Sequence, residues 1–364
     1  MKKISWWQPT IGTKEKILVN KVLKSNFLND GEFTTEFENK VASLVGSKYA
    51  LAVTSGTVAM YLSLKAVGIG PGDEVIVPDM TFIATANAVQ MCGAKPILVD
   101  VEKSTLSISL DGIKKAINKQ TKAIIPVHVS GRAADIEGIV KIARQNKLFV
   151  IEDAAEAFMS KHKGKFLGTF GHLGCLSFSP PKIITMGQGG IILTNNDKIY
   201  LTLRKLKDQG RPKRGTGGDD IHEAVGYNFK LTNLQSAVGL GQLTYLKKRM
   251  ERMSRINYLY RENLKNIKGI EVFNVDLKTG ELPLWTDVLV EKRDKLDEFL
   301  RNKNIECRRF WFPIHTQKPY KLTDALFPNS SELSPHALWL PSAFTMSDQD
   351  VIYVCRIIKE FFSQ

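Results

Sequence analysis

Lys182 sits in "CLSFSPPKIITMGQGG", residues 175–190, as the one charged residue of that stretch. Burial among apolar groups disfavours an ammonium, so an amine held there would have a depressed pKa and a usable lone pair near neutral pH, the condition for Schiff-base chemistry with a carbonyl. The plainer reading is a loop lysine that snorkels to water. Asp153 closes the apolar run "LFVIED". A buried carboxylate without a partner is costly, which leaves two readings: a structural ion pair or helix cap, or the counter-ion of a protonated ring nitrogen. In "VTSGTVAM", Ser55, Gly56 and Thr57 mark a strand turning into a helix. Free amides of a first helical turn, small hydroxyls and a glycine that admits close backbone approach can cradle an anion; the same residues also make an ordinary N-cap.

A Schiff-base amine, a ring-nitrogen carboxylate and an anion cradle are the three partners that pyridoxal phosphate requires together. Bringing them into one cleft is the work of the elements around them. Short apolar runs, "YALAV", "EVIVP", "PILVD", "KAIIPV" and "LFVIED", are separated by segments long enough for one helix each. Runs apolar throughout suit strands buried on both faces of a parallel sheet with crossover helices, an α/β architecture that collects ligands at the turns after its strands. "TEFENKVASLVG" predicts an amphipathic helix through Phe37, Val41, Leu44 and Val45, with Thr35 and Glu38 as a capping box and Gly46 as a stop. A long helical stretch over 232–265 leads into "LPLWTDVLV", "KLDEFLRNKN" and "DQDVIYVCRIIKEFF". The expectation is a large domain over 1–245 and a smaller α+β domain over 246–364, with "RPKRGTGGDD" as a flexible loop.

With 43% apolar and 24% charged residues in 364, the chain reads as an ordinary globular protein. Its 51 basic against 37 acidic residues give a net charge of +14, but the basic clusters lack the aromatic interleaving of a single-strand binder, so no nucleic-acid partner is expected. No apolar run has the length of a signal peptide or membrane span, so the expected location is cytoplasmic, with no membrane partner. Cys92, Cys175, Cys307 and Cys355 are scattered and read as reduced apolar residues, not as metal ligands.

From "GTKEKILVNKVLKSNFLNDGEFTTEFE" through "SGTVAMYLSLKAVGIGPGDEVIVPDMTFIATANAV", "IEDAAEA", "SFSPPKIITMGQGG" and "VGYNFKLTNLQSAVGLGQL" to "FPIHTQKPY" and "LWLPS", the chain resembles the DegT/DnrJ/EryC1/StrS sugar aminotransferases, a group of fold type I pyridoxal-phosphate enzymes. The resemblance implies an aspartate-aminotransferase-like large domain with a mainly parallel sheet. It casts Lys182 as the Schiff-base lysine and Asp153 as the carboxylate on the ring nitrogen. Gly56, Thr57 and Ser177 are implied phosphate contacts, Phe82 the cover of the ring face, and Glu156 the neighbour of the ring hydroxyl. Asn228 matches a residue that reaches the phosphate in the neighbouring subunit's site, which implies a homodimer with shared active sites. "GQGG", with Gln188, and "SPPK" depart from the commonest pattern.

The implied reaction takes an amino group from glutamate, through the pyridoxamine phosphate form, to a nucleotide-linked keto sugar. The nearest branch in appearance aminates C4 of a GDP-linked 4-keto-6-deoxyhexose destined for polysaccharide such as O-antigen. His315, Lys230 and Arg309 are then candidate substrate contacts, while Trp285 and Trp311 read as core. Three alternatives stand beside it: amination at C3 of a dTDP- or UDP-linked sugar, a non-transaminating sugar enzyme such as a dehydratase, and a sugar-nucleotide-binding regulatory protein.

Overall fold

A computed structural model describes residues 3–212 and 220–364. Most of the loop expected to be flexible, 213–219, lies outside the described residues. The first half of the chain lays down β1 (Tyr49–Val53), β2 (Glu74–Pro78), β3 (Lys95–Val99), β4 (Thr121–Ile124) and β5 (Phe149–Asp153). A short ribbon of β6 (Lys161–His162) and β7 (Lys165–Phe166) follows, then β8 (Leu173–Ser177) and β9 (Gly190–Thr194).

Seven of these strands form one sheet in the order β1-β9-β8-β5-β4-β2-β3. Strands β8, β5, β4, β2 and β3 run parallel, and β9 is antiparallel to both its neighbours. The link over 178–189 carries no crossover helix, so the chain can only return antiparallel. "YALAV" is therefore a strand, as its apolar run predicts, but it joins the sheet antiparallel through β9. The carboxyl ends of the parallel strands release Thr81 and Phe82, Val127, Asp153 and Ser177 toward one crevice.

The helix expected from "TEFENKVASLVG" spans Glu32–Val45 and ends at Gly46, whose φ of 67° is a left-handed cap. The capping box is not made. The helix starts one turn earlier, at the N-cap Gly31, and Glu38 turns inward to accept from the amide of Ala52 at 2.8 Å and from Lys207 Nζ at 3.1 Å.

The expected long helix over 232–265 is two, Asn233–Leu243 and Leu246–Leu264. The first is locked against the helix Thr13–Ser25 so closely that a Cβ on Gly241 would lie 2.6 Å from Glu15 Cγ. At the break Thr244 Oγ1 donates to the carbonyl of Gly241 at 2.6 Å, and the second helix departs toward another sheet. That sheet, β10 (Ile270–Val272), β11 (Thr286–Val290), β12 (Arg308–Arg309) and β13 (Ala337–Leu340), is antiparallel in the order β10-β11-β13-β12. Its apolar face packs with the helices Leu246–Leu264, Arg293–Asn302 and Asp348–Phe362 around Val288, Leu296, Leu338 and Val354. The N-terminal segment joins this unit: Ile4 bridges to Ile305, and Trp6 lies 5.4 Å from Trp285 and 6.0 Å from Trp339 between ring centroids.

Candidate active site

A cleft of about 370 Å³ opens where the two sheets meet, and Gly56, Thr57, Phe82, Asp153, Glu156, Ser177 and Lys182 all line it. At one end β1 gives way to the helix Gly56–Ala66, with Ser55 Oγ accepting from the amide of Val58 at 3.2 Å. Gly56 has no room for a side chain, because a Cβ there would lie 2.9 Å from Ser177 Cβ. The first turn thus presses against the end of β8 and presents amides and hydroxyls together, a combination suited to phosphate.

Asp153, at the end of β5, is buried and accepts from Thr85 Oγ1 at 2.8 Å on one oxygen and from the amide of Ala155 at 3.1 Å on the other. Among the described residues it forms no ion pair. Burial pushes its carboxyl above the ordinary range, and the bond from Thr85 only partly opposes this. A carboxylate oriented in this way and short of a cation fits a protonated ring nitrogen, which would supply the missing charge.

Lys182 follows β8, with Pro180 and Pro181 before it. Its Nζ is 3.2 Å from Glu156 Oε1 and 4.9 Å from the ring centroid of Trp285. The lysine side chain is partly buried, 11% exposed, and its setting is not wholly apolar as the sequence suggests. Glu156 is held on its other oxygen by the amide of Ser130 at 3.1 Å. Burial raises the Glu156 carboxyl, with the charge of Lys182 working against that rise.

The three expected substrate contacts lie elsewhere. His315 is fully buried, with Nδ1 2.7 Å from Asp79 Oδ2, its amide donating to Asp79 Oδ1 at 2.8 Å, and its ring stacked on Phe327 at 4.5 Å. It anchors the 314–316 turn to the end of β2 and does not line the cleft. Lys230 is taken by Asp208 at 2.7 Å. Arg309 points to the helix Arg293–Asn302 and meets Asp294 at 3.2 Å and Asp297 at 3.5 Å.

Its neighbour Arg308 lines the cleft instead, because consecutive strand residues face opposite ways. The guanidinium lies over Trp6 at 4.8 Å and Trp339 at 5.4 Å, and although the residue keeps an exposed side, partial desolvation against these rings lowers its pKa. Trp285 and Trp311, expected in the core, also form walls of the cleft, as does Gln188. The period-two alternation around Cys307 was the signal for Arg308; nothing local marks the tryptophans. Asn228 is exposed and does not line its own chain's cleft.

Residues 9–359 match the DegT/DnrJ/EryC1/StrS aminotransferase family. The chain belongs to that family. The aminotransferase is 38% identical to the GDP-perosamine synthase of Escherichia coli O157:H7, with 100% of both chains covered. It is 34% identical to the GDP-perosamine synthase of Vibrio cholerae, with 98% of each covered. Among solved structures, S. venezuelae DesV in complex with a ketimine intermediate has a TM-score of 0.95 at 27% identity, over 100% of both chains. The aminotransferase is thus a pyridoxal-phosphate enzyme of fold type I, and Lys182, Asp153 and the Gly56 turn meet in a cleft with the chemistry that cofactor needs. Among its described residues no helix is long and apolar enough to cross a membrane.

Proposed function

We propose that this aminotransferase moves an amino group from glutamate to C4 of a GDP-linked 4-keto-6-deoxyhexose. The meeting of Lys182, Asp153 and the Gly56–Thr57 turn in one cleft carries the transfer chemistry. Similarity over the full chain to relatives named GDP-perosamine synthase supports the choice of sugar and nucleotide.

In this reading Gly56, Thr57 and Ser177 hold the cofactor's phosphate, Phe82 covers one ring face, and Glu156 stands beside the ring hydroxyl. Bound there, pyridoxal phosphate supplies a carbonyl that carries the amino group and a ring that accepts an electron pair. The chain supplies the rest. Asp153 keeps a proton on the ring nitrogen. Lys182 Nζ takes the proton from the donor's α-carbon and returns one to the acceptor carbon, with Glu156 holding the amine in place between transfers. Trp285 and Trp311 exclude water from that exchange, and Arg308 offers a cation to an anionic substrate.

The exposed Asn228 serves the partner's site in a homodimer, and the chain divides near residue 245 into a cofactor-binding unit and a smaller unit, 246–364, which the N-terminal segment around Ile4 and Trp6 joins. The test is a half-reaction: the visible absorption of the loaded protein is followed as glutamate is added. The pyridoxamine form is then offered GDP-, dTDP- and UDP-linked 3-keto and 4-keto sugars. Reaction with the GDP-linked 4-keto-6-deoxyhexose alone supports the proposal; preference for another nucleotide or carbon refutes the substrate assignment, and silence toward glutamate refutes the donor.

A further inference from the structure

We propose that Asp287, a residue of the second sheet, is a positioning residue for Lys182 and acts on it through Ser130 and Glu156. Four buried or nearly buried side chains form an unbroken route between the sheets. Asp287, on β11, accepts from Ser130 Oγ at 2.8 Å on one oxygen, and Arg132 pairs with the other. The amide of Ser130 donates to Glu156 Oε2 at 3.1 Å, and Glu156 Oε1 meets Lys182 Nζ at 3.2 Å.

The backbone of Ser130 gives this route its purpose. With φ 50° and ψ 27° it is left-handed, a conformation that side chains other than glycine adopt only when their surroundings impose it. Three bonds impose it here: Ser130 Oγ to Asp287, Trp339 Nε1 to that same hydroxyl at 3.3 Å, and the amide of Leu284 to the Ser130 carbonyl at 2.9 Å. The next residue, Gly131, is packed so tightly that a Cβ would lie 1.9 Å from the Leu282 carbonyl oxygen. Asp287, Trp339 and Leu284 all come from the segment that forms and borders the second sheet, whereas Ser130 follows β4 of the first. Relaxation of Ser130 would rotate the N–H that meets Glu156, and a buried carboxylate that loses a donor must find another arrangement. How the two sheets seat against each other is thereby passed to the amine.

The proposal rests on Lys182 and Glu156 being the working pair of the proposed site. Its test needs neither cofactor nor substrate, so it can fail without touching the substrate assignment. The cofactor-free full-length chain is acetylated with limiting acetic anhydride at fixed pH, and the rate at each lysine is read by peptide mass spectrometry. A carboxylate in contact shields an amine and holds its orientation, so loosening Glu156 speeds labelling. Asp287→Asn and Ser130→Ala are each expected to accelerate labelling of Lys182 about fivefold, the loss of one hydrogen bond's worth of hold, and Glu156→Gln at least as much. Lys207, buried and paired with Glu38 at 3.1 Å, reports general loosening and should not change. Ser130→Gly should stay near the wild-type rate, because glycine takes the left-handed turn without a tether. In the Glu156→Gln background, Asp287→Asn should add nothing. Wild-type rates in Asp287→Asn and Ser130→Ala, a parallel rise at Lys207, a Ser130→Gly rate as fast as Ser130→Ala, or additivity with Glu156→Gln would each overturn the proposal.

Discussion

Arg308 and Arg309 are consecutive on β12 and leave it on opposite faces. Arg308 lines the cleft with Lys182, while Arg309 meets Asp294 and Asp297 on the far side of the strand. Arg308→Ala should therefore weaken the hold on an anionic substrate by about 1.5–3 kcal/mol, or roughly 10- to 150-fold in kcat/KM, the range for hydrogen bonds to charged groups. Arg309→Ala should change kcat/KM by less than about twofold, because Arg309 does not line the cleft and substitutions away from a site have small effects. Steady-state kinetics of the two variants side by side makes the comparison.

Asp153 is a buried carboxylate with no ion pair among the described residues, and this has a consequence for pH. Burial lifts both Asp153 and Glu156 above their ordinary values of 3.8 and 4.5. A group whose pKa is raised on folding stabilises the folded state fully below its ordinary value, and that contribution is lost as pH rises through the raised value. The contribution of these two groups to the stability of the cofactor-free protein should thus grow on mild acidification from neutral pH. Asp153→Asn should flatten that slope and raise cofactor-free stability at neutral pH by about 1–3 kcal/mol. The same change should cut amino transfer by roughly 10²–10⁴-fold, because an amide cannot keep a proton on the ring nitrogen. Denaturant melts across pH, set beside turnover, separate the two effects.

Gly56 is defined by space. Its absent Cβ would lie 2.9 Å from Ser177 Cβ, so Gly56→Ala must push the first helical turn away from β8. Cofactor affinity should fall about tenfold or more, equivalent to one charge-assisted hydrogen bond, with secondary structure unchanged. Fluorescence titration with pyridoxal phosphate and a circular dichroism spectrum together check this.

What could be read from the sequence follows a physical line. That Lys182, Asp153 and Gly56 meet in one cleft is legible because each lies at or soon after the end of a strand, where an α/β sheet gathers ligands. The parallel strands were legible from their unbroken apolar runs, and the antiparallel return of β9 was not, since it depends on what the 178–189 link omits. Glu38 fits the capping-box pattern equally well as a cap or as a buried acceptor, and only the tertiary position of Ala52 and Lys207 decides between them. Trp285 is the core residue it reads as, 3% exposed, and Trp311 packs against that core; that both also border the cleft is not legible, because cleft walls and cores share the same apolar composition. His315 read as a substrate contact because its partner, Asp79, lies far away in the chain.

Asn228 offers a test of assembly. If it serves the partner's site, Asn228→Ala alone should lower turnover, and Lys182→Ala alone should abolish it. Mixed dimers of the two variants then carry one site with both residues intact, so co-purified heterodimers should recover activity that neither variant shows alone. Heterodimers as poor as the better parent would place Asn228 outside the partner's site.

The most direct test of the whole account is to find the lysine that bonds the cofactor. The purified protein is loaded with pyridoxal phosphate, reduced with borohydride, digested, and mapped by mass spectrometry. The account predicts a phosphopyridoxyl group on Lys182, absent from Lys182→Ala, which should also lose amino transfer. A label on another lysine, or a Lys182→Ala protein that still transfers amino groups from glutamate, would contradict it.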